Sequence, residues 1–394
     1  VLPAQLRAVQ TAICAILLAW RLAGRSYRES AVVFRRNVKR SQRYMLLVFI
    51  RILRAASGRR LWLAVMLAVV FGLPWPAQTA HIASGSAGAA RALWAVEMGA
   101  EIETFSAHES AVTSVAVSPS GRLIASGARD GSVQIGSVVG GFFRRLPGHT
   151  GSVHALAFVS GGQAVAVAAE DGSISVWDTP TGRQRVRIQA EGGAFTSAAF
   201  EPIGRYALTG AADGAVTLWD LQAATEAQIF IGPQAGVTSL AFGPGGERFA
   251  AGYDDGTVVV WSLKRRIEPV RFQVHREKVT ALDFSPDGRW LLSASADDTL
   301  VLIDLKTNRP GGPLRGHAGD VTDAAFSPDG RTILSSSADG TIVLWGVERR
   351  QEIHRTTLSG GPVSSVAFHP GGQEAVFGLQ NGQITRVCVA TSCG

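Results

Sequence analysis

Apolar and polar positions change in short bursts along this chain, with the period of strands and not of helices. Residues 275–315 show the pattern. Val279-Thr280-Ala281-Leu282-Asp283-Phe284 alternates as a half-buried strand does. Ser285-Pro286-Asp287-Gly288 follows as a turn, with proline presetting φ and glycine closing it. Trp290–Ser295 predicts a second strand, Asp297-Asp298 a tight turn, and the β-branched run Thr299–Ile303 a third strand. A fourth, weaker strand is expected before Gly316-His317.

The same block recurs about every 42 residues. Trp177, Trp219, Trp261, Ile303, Trp345 and Val387 keep that step, and so do Phe158, Phe200, Phe242, Phe284, Phe326 and Phe368. Asp-Gly turns, or variants of them, run in register from Asp171-Gly172 to Asn381-Gly382, and one earlier, shorter copy holds Asp130-Gly131. Seven units of four short strands predict an all-β, seven-bladed β-propeller of four-stranded antiparallel blades over 92–394. The last unit supplies only three strands. The stretch near 100–106 is expected to join that C-terminal blade and close the ring.

The Gly-His pairs (Gly148-His149, Gly316-His317), the Asp-Gly turns and the Trp-Asp pairs (Trp177-Asp178, Trp219-Asp220) resemble the WD-repeat β-propeller family over about 107–394. The resemblance implies a buried hydrogen-bonded set of His, Ser or Thr, Asp and Trp within a blade. Carried over, the whole set stands only in the sixth unit, as His317, Ser335, Asp339 and Trp345. The second unit has His149, Asp171 and Trp177 but Val167. The fifth has His275, Ser293 and Asp297 but Ile303. The third has Thr209, Asp213 and Trp219 but Glu191. The first has His108, Ser126 and Asp130 but Gly136. The resemblance also implies a bacterial-type scaffold that binds a protein or peptide partner through rim loops.

Charge divides the chain. Its formal net charge is +7, yet residues 1–60 hold thirteen Lys and Arg and one acid, Glu29, leaving the remainder at −5. The propeller therefore lacks the clustered cations a nucleic acid needs, and no nucleic-acid partner is expected. Arg59-Arg60 before the apolar run Leu61–Leu73, then Pro74-Trp75-Pro76 and small residues to Ala80, has the layout of a signal peptide. Residues 45–80 are expected to be that signal or a membrane anchor, with 81–91 a flexible linker. The protein is expected outside the cytoplasm, periplasmic or extracellular, the alternative being an anchor through 61–75. Membrane contact is confined to this segment. The chain opens on Val1 and its first Met is Met45. Residues 1–44 are expected to lie upstream of the translated start, or else to be a real amphipathic or membrane segment.

Chemistry is sparse. Phosphate loops, His-Glu-x-x-His and haem motifs are missing from the sequence. Four histidines share one repeating register, as a structural residue does and a catalytic one does not. The expectation is a non-catalytic scaffold, without cofactor or metal, and a monomeric propeller. The alternative is an exported propeller enzyme with a metal or quinone at the central channel. Residues that break the repeat are the candidate partner-binding rim: Arg129, Glu170, Asp254, Arg276, Lys278, Asp320 and Asp323. Cys388 and Cys393 could form a disulfide after export or stay unpaired thiols.

Overall fold

A computed structural model describes residues 101–138, 143–191, 193–264 and 267–390. The leader, the linker, the 1–44 segment and Cys393 lie outside the described residues.

The described residues form seven antiparallel sheets, one for each sequence unit. Blades 1 to 6 span 112–146, 153–189, 197–231, 237–273, 279–315 and 321–357, in chain order from the first, innermost strand to the outermost. Blade 7 is built by 363–388 and completed by Glu101–Ser106, which pairs antiparallel with Gln383–Cys388. The chain's two ends thus share one sheet, as expected from the sequence. The first strands of all seven blades touch in succession and return to the start, which closes the ring.

Turn chemistry sets the blade. The residue after the turn Asp, or Asn381 in blade 7, has positive φ in every blade, and six of the seven use glycine there, such as Gly172 (φ 73°) and Gly340 (φ 81°). Blade 5 places Asp298 at φ 66° instead, a conformation costly for a side chain other than Asn or Asp. Blade 5 also has a broken outer strand, Arg309–Pro310 and Leu314–Arg315. Pro310 and Pro313 carry no N–H for a continuous ladder.

Each blade packs its alternate residues against the next. Fully buried residues such as Ile124, Leu208, Leu292 and Phe377 form the inter-blade cores. A hydroxyl latch at the head of the inner strands runs from blade to blade. Thr113 Oγ1 donates to the Val153 carbonyl (2.6 Å), Thr196 to Val237 (2.6 Å), Thr280 to Val321 (2.6 Å) and Thr322 to Val363 (2.8 Å). Ser364 closes the ring onto the Val112 carbonyl. His154 holds the cognate place in blade 2 and hydrogen-bonds the Phe195 backbone instead, leaving its Nε2 buried without a partner among the described residues.

Deeper in the ring, two carboxylates take over the same bridging task. Asp283 Oδ2 accepts the Phe326 N–H (2.7 Å), and Asp323 Oδ2 accepts the Val366 N–H (2.8 Å). Asp323 therefore lies inside the strand Val321–Phe326 and ties blade 6 to blade 7. This corrects its placement among the rim residues. Burial raises the Asp283 carboxyl to about 7, with Asp323 beside it adding to the shift, and burial raises Asp323 to about 6.

These shifts give a pH signature. An acid whose folded pKa lies above its unfolded 3.8 makes the folded state hold the extra proton. Its stabilisation is present below about pH 4 and is lost as pH rises through about 6 and 7. The buried imidazoles act oppositely. Their folded pKa lies below 6.5, for His108 at about 4, so they destabilise as pH falls below 6.5. Between about pH 4 and 7 the two effects oppose each other, so the carboxyls are read by difference. Urea unfolding at pH 5 and 8 is expected to show the wild type losing stability relative to Asp283→Asn/Asp323→Asn as pH rises, whatever the imidazoles add to both. A difference between the two proteins that does not change with pH would place the effect elsewhere.

Candidate functional site

The sixth blade forms the complete buried set. Trp345 Nε1–H donates to Ser335 Oγ (2.8 Å), and Ser335 Oγ lies 2.7 Å from His317 Nε2. His317 Nδ1 lies 2.9 Å from Thr341 Oγ1 and 3.6 Å from Asp339. Asp339 anchors the turns by accepting the Ala318 and Thr341 N–H groups at 2.8 and 2.7 Å. The set therefore has a fifth member, the hydroxyl two residues beyond the turn Asp. It recurs as Ser132, Ser173 and Thr299. Its sequence signal is the Ser or Thr that follows the turn pair in those units.

Blade 2 is also complete, against expectation. Val167 stands where the first hydroxyl belongs, but Ser175 supplies it from the facing strand. Val167 and Ser175 are direct cross-strand partners, as Ser335 and Val343 are in blade 6. Ser175 Oγ accepts Trp177 Nε1–H (2.8 Å) and lies 2.8 Å from His149 Nε2. Ser173 gives its hydrogen to Asp171 (2.5 Å), so at 2.6 Å it accepts from His149 Nδ1–H. That fixes the tautomer: Nδ1 carries the proton, and Nε2 accepts from Ser175. Hydrogen bonds run one way, Trp177 to Ser175 to His149 to Ser173 to Asp171.

The other units hold parts of the set. Blade 5 keeps Ser293 and Asp297 on His275 at 3.0 and 3.2 Å, with a fully buried Ile303 in place of Trp. Blade 1 keeps Ser126 and Ser132 on His108, each at 2.7 Å. Blade 3 keeps Trp219 on Thr209 (2.8 Å), while Glu191 is exposed. Blade 4 has Gly232-Pro233 at the Gly-His register, and the fully buried Tyr253 fills the space. A Cβ at position 232 would stand 2.0 Å from the Tyr253 hydroxyl, so only glycine fits.

Electrostatics mark the set as structural. Desolvation holds His149, His275 and His317 below the usual imidazole value, hence neutral. Burial pushes Asp171 and Asp339 up, but their hydrogen bonds outweigh it and hold both at about 2. Ser175 and Ser335 are fully enclosed, and each hydroxyl already serves an indole and an imidazole. Neither can reach a substrate as a nucleophile.

The repeat-breaking rim residues are arranged differently. Arg129, Glu170 and Asp254 occupy the turns between second and third strands, and Arg276, Lys278 and Asp320 the connections between blades. Antiparallel strand order puts these two kinds of loop at the same end of the ring. All six are exposed. They form two charged arcs, Arg129 with Glu170 on blades 1 and 2, and Asp254 through Asp320 around blades 4 to 6. Ala212 holds the turn position in blade 3, between the arcs, and Ala296 and Ala338 hold it in blades 5 and 6. Among the described residues no group of three or more His, Cys, Asp or Glu is placed to hold a metal. Cys388 is fully buried at the end of its strand, and its proposed partner is outside the described residues.

Comparison with known families matches residues 136–387 to the family described as IFT122 first beta-propeller. Residues 99–135 match the family described as WD domain, G-beta repeat. No curated protein matches the chain.

Proposed function

The chain belongs to the WD-repeat β-propellers, in the family of the IFT122 first β-propeller, and we propose that it is a non-catalytic scaffold that binds a protein or peptide through its charged rim. WD-repeat propellers generally mediate protein–protein interactions. One observation carries the reading to this chain: six charged side chains that depart from the repeat, Arg129, Glu170, Asp254, Arg276, Lys278 and Asp320, stand exposed at one end of the ring, while the repeating histidines are held in structural bonds. Conserved geometry with variable rim chemistry is how a rigid scaffold carries recognition on its loops. The mixed signs favour a partner with both basic and acidic groups over a polyanion.

The test is a charge reversal away from every buried bond network. Protein captured from extracts of the source cell by the immobilised wild-type chain should be lost with Glu170→Lys/Asp254→Lys, and its capture should weaken with added salt. The melting temperature should stay within about 2 °C, since exposed loop charges contribute little to stability. Undiminished capture by the reversed rim would move the binding surface elsewhere.

A further inference from the structure

Outer strands of blades carry unpaired backbone N–H and C=O groups on their free edge, and charged side chains or proline usually guard such edges. Six of the seven follow that rule. The guards are Arg144 and Arg145 in blade 1, Arg185 and Arg187 in blade 2, and Arg271 in blade 4. Prolines break the edge of blade 5, Glu352 and Arg355 guard blade 6, and Glu101 and Glu103 guard blade 7. The guard has a fixed register. The residue paired with the centre of the third strand is Arg145, Arg187, Arg271 and Arg355 in blades 1, 2, 4 and 6.

Blade 3 departs from it. Its outer strand, Thr225–Ile231, is the most exposed of the seven and carries Ile229 at that register, 48 % exposed. Ile231, on the same face, is 75 % exposed, where blade 2 has Gln189. The residues beneath them, Thr217 and Ala215, are small. Phe230 points the other way and is held against Phe249 with ring centroids 4.8 Å apart, so the strand is fixed with its isoleucines outward. Glu226 is its single charge and stands at the far end, beside the bulge at Leu218/Trp219.

We propose that this edge associates with a second copy of the chain. Residues 229–231, at the end of this strand, pair antiparallel with the same residues of the other copy across a two-fold axis at Phe230, joining two four-stranded blades into one sheet. A symmetric pairing brings a strand against its own sequence, so like charges would meet on any edge guarded by one sign. The segment from Ala227 to Ile231 is free of charge and meets itself without repulsion. In this register each Ile229 faces Ile231 of the second copy, and the two side chains shield each other's flanks from water. The proposal departs from the monomer expected from the sequence and is independent of the rim reading.

One short strand pair buries less than the roughly 1,200 Å² of a stable complex, so the association is weak and reversible. Sedimentation equilibrium of the full chain should therefore show mass rising from monomer toward dimer between roughly 5 and 200 µM. Ile229→Arg/Ile231→Gln, which installs the residues blade 2 carries, should remain monomeric throughout with an unchanged melting temperature. If that variant unfolds early, Ile231→Lys alone carries the same test at the more exposed position. A wild type that stays monomeric over the range, or variants that associate as the wild type does, would overturn the proposal.

Discussion

Removing residues 101–106 is expected to lower the melting temperature by roughly 10 °C or more and to turn the protein toward larger assemblies. The strand holds the ring shut in three ways. Its backbone pairs with Gln383–Cys388 from Glu101 to Ser106. Phe105, 7 % exposed, packs with Val112, Ile124 and Ile384 in the core between the last and first blades. Glu101 clamps the loop ahead of blade 7, accepting the Ser359 N–H at 2.7 Å and the Ser359 hydroxyl at 2.9 Å. Loss of the strand leaves blade 7 with a naked edge, and closure then rests on the remaining bonds to blade 1: the Ser364 latch onto Val112, the Val115 N–H on Ser365 Oγ (3.2 Å) and Arg386 on the Val138 carbonyl (2.7 Å). Phe105→Ala separates packing from pairing. It should cost about 3–5 kcal/mol, the usual loss for a buried phenylalanine, without exposing the edge. Thermal melts and sedimentation read both effects. A deletion that melts and sediments as the wild type does would show that the three strands of 363–388 close the ring without the fourth.

What the sequence made legible follows from how local each signal is. The blade count and strand order were readable because each turn needs a residue tolerant of positive φ at a fixed step, and Gly172, Gly214, Gly256 and Gly340 supply it. Closure by 101–106 was readable because seven units with three strands in the last leave one strand owed. Contacts between blades were not readable. Asp283 meets Phe326 across 43 residues, one more than the period, so no within-unit pattern announces it. Asp323 was assigned to the rim because it follows close on the Gly-His loop, yet the strand begins at Val321 and carries it inward. The hydroxyls Ser173 and Thr341 stand next to turns in the sequence, and only the fold shows that their neighbours in space are imidazoles. The edge of blade 3 shows only when outer strands are laid in register, since one isoleucine in a strand is ordinary.

Ser175 gives the sharpest test of how the buried set is built. Ser175→Val should destabilise the protein by about 2–5 kcal/mol, because it strands two buried groups at once. The indole N–H of Trp177 loses its acceptor, and Nε2 of His149 loses its donor, at residues only 3 % and 6 % exposed. Val167→Ser alone should also destabilise, by about 1–3 kcal/mol, since it buries a second hydroxyl beside groups already satisfied. The two changes together should regain most of the loss. Val167 and Ser175 face each other across the ladder, and blade 6 performs the same task with the hydroxyl on the opposite strand, Ser335 facing Val343. The double variant copies that arrangement into blade 2. Urea unfolding of the four proteins closes the cycle, and a strong favourable coupling is the expected result. If the double variant instead loses the sum of the single losses, the hydroxyl's strand of origin matters as much as its presence, and the two blades are not built on one interchangeable plan.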